Sequence, residues 1–321
     1  MFVTTSLHTH RPPGPVPDAV GPSPWVEHTV GLDDTARNVG AILAGPLGFS
    51  RDEVLRLTRL RAIRLNGRRT TPAARVRAGD VVSAATDAEG APSVASSPLE
   101  LCVVHEDDDL LVVDKPAGTL VHPVLRGQTG TLANGVAHRD LLRGIRARVH
   151  PVHRLDRDTS GLVLFARTPL AHSRLDAQLR SHALRREYLA LVRGPVPDGE
   201  GTVDAPIGRD PAAPARRAVQ ADGAPARTRF RVLERFADAT LLRLELETGR
   251  THQVRVHLRH LGHPVLGDPV YGPAGPQSIG RQALHAASLS LTHPSTGAPT
   301  VFHSPLPPDM AELLEHLRAA R

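Results

Sequence analysis

Three shortages in the sequence each remove a class of chemistry. There is a single cysteine, Cys102, inside the apolar run Leu101 to Val104. No disulfide within the chain and no thiolate metal cluster can form, which fits a reducing cytoplasm. Aromatic residues make up 3% of the chain, with two tyrosines and one tryptophan, so few side chains could stack on a base or a sugar. No run approaches the roughly 18 consecutive apolar residues of a membrane span, and the start has no basic stretch followed by an apolar one. A soluble cytoplasmic protein with no membrane partner is expected.

Arginine is what the chain has in excess. Nearly all of its 39 basic side chains are arginine, against 33 acidic ones, for a net charge of +6. Guanidinium groups bind phosphate bidentately and stack on bases, so this balance suits a partner with a phosphate backbone. Abundant Ala, Arg, Gly and Pro also fit biased codon usage, so charge alone does not decide for nucleic acid. The 321 residues, 40% of them hydrophobic, are enough for about two domains and a sizeable core.

The densest charge lies in His153-Arg154-Leu155-Asp156-Arg157-Asp158-Thr159-Ser160-Gly161-Leu162. Flanked by Pro151-Val152 and the apolar run Leu162 to Ala166, it reads as an irregular loop feeding a strand. A carboxylate between arginines favours its ionised form, which can act as nucleophile or base. Read alone, the string fits structural ion pairs better than a site.

Other strings accompany it. Leu101 to Val104 and Leu110 to Val113 read as a hairpin around Glu106 to Asp109, ending in the turn Lys115-Pro116-Ala117-Gly118 and then Val121-His122-Pro123. Ala171 to Leu184 reads as a basic amphipathic helix, and Arg186-Glu187-Tyr188 to Gly194 as a strand. Residues 195 to 227 are rich in Gly, Pro and Ala and read as loops, with Arg209, Arg216 and Arg217 available to a partner. Leu241 to Leu246 alternates as a strand and leads into Thr248-Gly249-Arg250-Thr251-His252-Gln253-Val254-Arg255. Gly262 to Gly272, Ala283 to Ala286 and His293-Pro294 follow, and a last helix opens at Asp309 with Met310, Leu313, Leu314 and Leu317 on one face.

Together these strings resemble the RluA-type pseudouridine synthases, which isomerise uridine in structured RNA. The decapeptide from His153 to Leu162 matches the family's signature without a break, and the run from Thr248 to Gly272 departs from its pattern only in Ile to Val exchanges. Arg186 stands where the family has lysine. The resemblance implies that Asp156 is the catalytic nucleophile, with attack at C1′ or at C6 left open by the sequence, that Tyr188 covers the target uracil and could take part in moving its C5 proton, and that Arg255 pairs with Asp156. Arg154 would hold the space vacated by the base, and His153, Arg157, Arg250, Thr251, His252 and Gln253 would line the substrate. Asp158 is expected to hold the loop, and Lys115 and His122 are given no chemical role, with a place for Lys115 near an RNA phosphate left open. The isomerisation adds and removes nothing, so no cofactor is expected.

Residues 1 to 27, rich in proline, are expected to be a disordered arm. Residues 28 to 86 form a small unit, with Asp34 to Leu43 as a first helix. Ser50-Arg51-Asp52-Glu53 reads as a capping box opening a second helix with Val54, Leu57 and Leu60 on one face. Ile63 to Leu65 reads as a strand, Asn66-Gly67 as a tight turn, and Val76 to Val82 as a strand containing a Gly79-Asp80 turn. This order resembles the RNA-binding domain first described in ribosomal protein four of the small subunit. It implies phosphate contacts from Arg51, Arg56, Arg59, Arg64, Arg68 and Arg69. Residues 87 to 99 read as a linker and 100 to 321 as the catalytic domain.

The expected fold is α+β, a mixed and largely antiparallel sheet with flanking helices behind a small N-terminal α/β domain. The expected partner is structured RNA, ribosomal RNA of the large subunit being favoured over transfer RNA, met by a monomer. Three rival readings are weaker. His257, His260 and His263 as a metal site fail because i+6 drifts off the face shared by the first two. A glycoside hydrolase would need carboxylates flanking a substrate, and Asp156 and Asp158 are too close in sequence. A non-catalytic RNA-binding or ribosome-assembly protein would have no need for Asp156, Tyr188 and Arg255 together.

Overall fold

A computed structural model of the chain describes residues 25–34, 37–49, 51–85, 94–145, 149–273 and 279–320. An N-terminal sheet in the order β1-β4-β2-β3 is built from β1 (Trp25–Thr29), β2 (Ile63–Leu65), β3 (Arg68–Arg69) and β4 (Val81–Ala85), with helices α1 (Val39–Ala44) and α2 (Arg51–Arg59). Asn66 and Gly67 both take positive φ, 51° and 75°, the conformation a two-residue hairpin demands. The Asn66 amide also holds the start of β4, accepting from the Val81 N–H and donating to Asp80.

Three expectations change in this unit. Trp25 to Glu27 belong to β1, paired along β4, and residues 1–24 of the proline-rich arm lie outside the described residues. The first helix starts at Val39, because Asn38 caps it by accepting from the Ala41 N–H, while the Asp34 carboxylate accepts from Gly31 in a separate turn. The strand after Val76 starts only at Val81, since Asp80 accepts from the Arg77 N–H and Gly79 has φ +87°. Ser50 of the capping box lies outside the described residues. Val39, Ile42, Leu43, Leu57 and Ile63 form the core of the unit, and Leu170 of the larger domain packs into it.

The larger domain is organised on one mixed sheet. Its path is β10-β13-β14-β9-β15-β8-β6-β5, formed by β5 (Cys102–Glu106), β6 (Leu110–Lys115), β8 (Ser160–Ala166), β9 (Arg185–Arg193), β10 (Glu200–Asp204), β13 (Arg227–Arg235), β14 (Ala239–Leu246) and β15 (Leu284–Thr292). β7 (His150–Pro151) pairs with β8 and β16 (Pro299–His303) with β15, while β11 (Ile207–Asp210) and β12 (Ala213–Val219) form a separate ribbon. The β8 and β15 pair is parallel and the others along the path are antiparallel.

β6 and β8 are covered on both faces. Leu111, Val113, Val163 and Phe165 face one core, and Leu110, Val112, Leu162 and Leu164 the other. Two covered faces require continuous apolar runs, which is why these strands are the most legible in the sequence. The first core is closed by α3 (Leu132–Leu142) and α6 (Pro308–Ala319), through Leu132, Ala133, Val136, Met310, Leu313 and Leu314. The second is closed by α4 (Pro169–Arg180), through Ala171 and Leu175.

Two more expectations change here. Residues 195 to 227 hold β10, β11 and β12, not loops alone. Residues 94–99 of the expected linker lie against α3, where Asn134 donates to the Ala95 carbonyl and a Cβ at Gly135 would stand 2.9 Å from that of Leu99. A further helix, α5 (Gln253–His260), follows the Thr248 loop.

Candidate active site

The loop from His153 to Ser160 is held near its start by two hydrophobic anchors, Val152 in one core and Leu155 in the other. Directly after the second anchor the Asp156 side chain keeps 20% exposure. The Thr159 N–H donates to the Asp156 carbonyl and closes the turn. Where the loop enters β8, Gly161 has φ +110°, and a Cβ there would stand 2.3 Å from the Ala286 carbonyl oxygen.

Two buried cations grip this loop by its backbone. Lys115 is the only lysine in the sequence, and its Nζ donates to the carbonyls of Pro116 (2.9 Å), Thr119 (2.8 Å) and Arg157 (2.7 Å). Three carbonyls match the three protons of an ammonium, a compact donor that the forked guanidinium does not reproduce. Burial pushes Lys115 down to about 7, against the pull of the Asp158 and Asp156 charges. Arg281 donates to the Asp158 carbonyl at 3.2 Å while Asp309, at the start of α6, holds its guanidinium at 2.6 and 2.8 Å. The sequence strings give Lys115 no role, and the structure makes it the clamp of the loop. Its singularity among so many arginines is the available signal.

Arg255 is buried on α5 and donates from Nη1 to Asp156 at 3.1 Å. Its stronger partner is Asp268, fully buried, which accepts from Nε at 2.6 Å and Nη2 at 2.9 Å. Burial opposes the charge of Arg255, but the bonds to Asp268 and the charges of both carboxylates outweigh it and raise its pKa. Burial likewise opposes the Asp268 charge, yet Arg255 and the N–H groups of Tyr271 and Val270 hold its carboxyl below the usual range. Tyr271 lies with its ring 5.0 Å from the Arg255 guanidinium. Its hydroxyl accepts from the Arg217 N–H of β12 at 2.9 Å and meets His252 Nδ1 at 2.8 Å. The hydroxyl thus ties the His252 ring to the backbone of β12. Burial lowers the His252 pKa. His252 adopts φ +59° just ahead of α5.

Asp156 and His252 line a cleft of about 560 Å³ together with Tyr188, His153, Arg154, Arg186, Arg250, Thr251 and Gln253 among others, while Arg255, Asp268 and Tyr271 stand outside its lining. Of the residues expected at the substrate, Arg157 is the one that does not line it; its side chain is exposed and pairs with Asp158. Arg154 donates to the Thr251 hydroxyl at 3.2 Å. Gln253 is spent on architecture, because both ends of its amide bind the chain at Thr248, Arg250, Arg227 and Thr228. His153 is buried and pushed down to about 3, first by burial and then by the charge of Arg186. Burial raises the phenol of Tyr188, and Asp156 adds to the effect.

Away from the cleft, Arg51, Arg59, Arg68 and Arg69 are exposed, Arg56 is half-buried, and Arg64 covers the Trp25 ring at 4.0 Å. Of the three spaced histidines, His257 is buried with both ring nitrogens engaged, by Thr228 and the Ala205 carbonyl.

Comparison with known proteins identifies the family. The sequence profile described as RNA pseudouridylate synthase matches residues 109–260. An uncharacterized RNA pseudouridine synthase of Bacillus subtilis, YlyB, is 44% identical over 273 residues, covering 84% of this chain and 90% of the relative. The ribosomal large subunit pseudouridine synthase D of Nitrosomonas europaea is 46% identical over 246 residues, 74% of this chain and 71% of its own. Among solved structures, human RNA pseudouridylate synthase domain containing 1 superposes with a TM-score of 0.54 at 26% identity, over 70% of this chain and 98% of that one. With its identity to these relatives, its sheet and its cleft, the chain belongs to the RluA-type family of RNA pseudouridine synthases, which are RNA isomerases.

Proposed function

We propose that the chain isomerises uridine in large-subunit ribosomal RNA with Asp156 as nucleophile. The observation that carries this reading is the Asp156 carboxylate, held by Arg255 at 3.1 Å in the wall of a cleft that Tyr188 also lines. The name of the Nitrosomonas relative supports the choice of RNA.

A stacked uridine cannot reach this carboxylate, so the nucleotide must be flipped out, at a cost of a few kcal/mol. Contacts with the RNA backbone, including those of Arg51, Arg59, Arg68 and Arg69, offset that cost. Arg154, tethered to Thr251, occupies the space the base leaves. Asp156 then attacks C1′, and the bond from C1′ to N1 breaks with its electron pair going to uracil. The detached base rotates beneath Tyr188 and its C5 attacks C1′, expelling the carboxylate. C5 loses its proton, N1 gains one, and the product is an isomer of the substrate. Arg255 holds the carboxylate in one orientation through both displacements.

The test is release of tritium from RNA labelled at uracil C5, taken from cells lacking the gene. Release by the intact protein and none by Asp156→Ala is expected. Release that survives the substitution would sink the assignment. Mapping pseudouridines at single-nucleotide resolution with and without the gene identifies the RNA, and sites confined to transfer RNA would replace the ribosomal substrate while leaving the chemistry.

A further inference from the structure

Among the described residues, Arg186 is a buried cation without a counter-ion. It keeps 6% of its surface, and the one hydrogen bond of its guanidinium is from Nη2 to the Thr248 carbonyl, long at 3.3 Å. Its Nε is buried and has no acceptor. Among the described residues no carboxylate forms an ion pair with it; Glu245 pairs with Arg185, and Glu247 pairs with Arg227 and Arg229. Arginine is almost never fully buried unless paired, and an uncompensated charge away from water is costly. A cation in this state lining a cleft is matched by an anion that arrives with the ligand.

The surroundings define where that anion would lie. Arg186 lines the cleft together with Arg180, His182 and Gly249. At Gly249 a Cβ would stand 3.0 Å from Nη1 of Arg186, so the missing side chain is what keeps that nitrogen uncovered. Along β9, Arg186 and Tyr188 are both buried while Glu187 between them is half-buried. They therefore share one face of the strand, about 6.6 Å apart by the rise of two residues. That separation is comparable to the reach from a base to a phosphate of its own nucleotide.

We infer that Arg186, left open by Gly249 and flanked by Arg180 and His182, forms a subsite for one backbone phosphate adjoining the flipped uridine. This deepens the reading given under Proposed function and rests on it. A guanidinium there takes two phosphate oxygens at once, which fixes the nucleotide's register as well as its charge. Tyr188 then sets where the base lies and Arg186 where its backbone lies, so that Asp156 meets C1′ between them.

The subsite is tested on the full chain with uridine, uridine 5′-monophosphate and uridine 3′-monophosphate as probes, by titration calorimetry or NMR. The intact protein is expected to bind one of the two nucleotides at least about tenfold more tightly than uridine, the weight of one charge-assisted contact. The nucleotide preferred tells which phosphate is held. Arg186→Met should erase the preference, and Arg186→Lys, a point charge without the fork, should keep part of it. Equal affinity for all three probes, binding of none of them, or a preference that persists in Arg186→Met would overturn the subsite. If Arg186→Met does not fold, the three probes on the intact protein and Arg186→Lys still decide. The two readings fail separately. A nucleotide preference without tritium release would sink the synthase assignment for this chain, and release without the preference would sink the phosphate subsite alone.

Discussion

Asp268 holds Arg255 more closely than Asp156 does, with contacts of 2.6 and 2.9 Å against 3.1 Å. The inner carboxylate fixes the guanidinium, and the guanidinium in turn presents its remaining nitrogen to Asp156. Replacing Asp268 by Asn tests this order. The amide oxygen can still accept from the Val270 and Tyr271 N–H groups, so the loop around it is kept, while the charge is lost and an NH2 group replaces the acceptor of the Arg255 Nε–H. Leaving a buried guanidinium short of its partner costs about 3–5 kcal/mol, to be read as a lower denaturant midpoint. Tritium release should fall with it in the fraction that remains folded. An unchanged midpoint and rate would show that Asp268 does not anchor Arg255.

Lys115 gives the fold a pH dependence of definite sign. Its folded value, about 7, lies below the ordinary 10.5, so between those limits the unfolded chain binds more protons than the folded one. Stability from this group therefore rises as pH climbs above about 7, with a slope of up to about 1.4 kcal/mol per pH unit. Lys115→Met has no such group. Its unfolding free energy, subtracted from that of the wild type at a series of pH values, should leave a difference that grows in favour of the wild type as pH rises. A flat difference would mean that the lysine titrates near its ordinary value in the fold.

The elements easiest to read are those buried on two faces, β6 and β8, because two covered faces leave no polar interruption. β10 to β12 are hidden by their position. They lie at one end of the sheet path and in a separate ribbon, where Ala, Gly and Arg suffice. Helix α3 leaves no clear apolar stripe because it buries Asn134, Gly135 and Asp140 along with Leu132, Ala133 and Val136 while Leu141 and Leu142 are exposed, and Gly135 is required where a Cβ would stand 2.9 Å from that of Leu99. The site divides in the same way. Asp156, Tyr188 and Arg255 are legible by their resemblance to family motifs. The hold of Lys115 on the Arg157 carbonyl, of Arg281 on that of Asp158 and of Asp268 on Arg255 joins segments distant in sequence, and a linear string carries no sign of such pairings. Arg186 shows in the sequence only as an exchange for lysine, while its lack of a counter-ion is a property of the folded sheet alone.

Gly161 has no tolerated replacement. A methyl group there would meet the Ala286 backbone at 2.3 Å, at φ +110°, so both sterics and backbone conformation oppose it. Gly161→Ala should separate β8 from β15 and leave little soluble protein. Gly130, also at positive φ but with nothing within 4 Å of a methyl group placed there, provides the control, and Gly130→Ala should cost about 1 kcal/mol. Thermal midpoints of the two variants give the comparison, and equal losses would contradict the contact at Ala286.

Tyr188 separates its hydroxyl chemistry from its bulk. The ring belongs to the main hydrophobic core and keeps 4% exposure, so Tyr188→Ala should lose about 3–5 kcal/mol, the range for emptying an aromatic site. Tyr188→Phe keeps the ring and its packing against a bound base. If the hydroxyl helps carry the C5 proton, tritium release by this variant should fall by about 10²–10⁴-fold, the weight of a positioned acid or base. Its affinity for the RNA and its thermal midpoint should stay close to those of the wild type. Pseudouridine formation should slow together with release, because the proton leaves C5 in the step that completes the product. A Phe variant with normal turnover would reduce Tyr188 to a platform for the base and leave the proton to another carrier, for which the imidazole of His252, in the same cleft, is the next group to substitute.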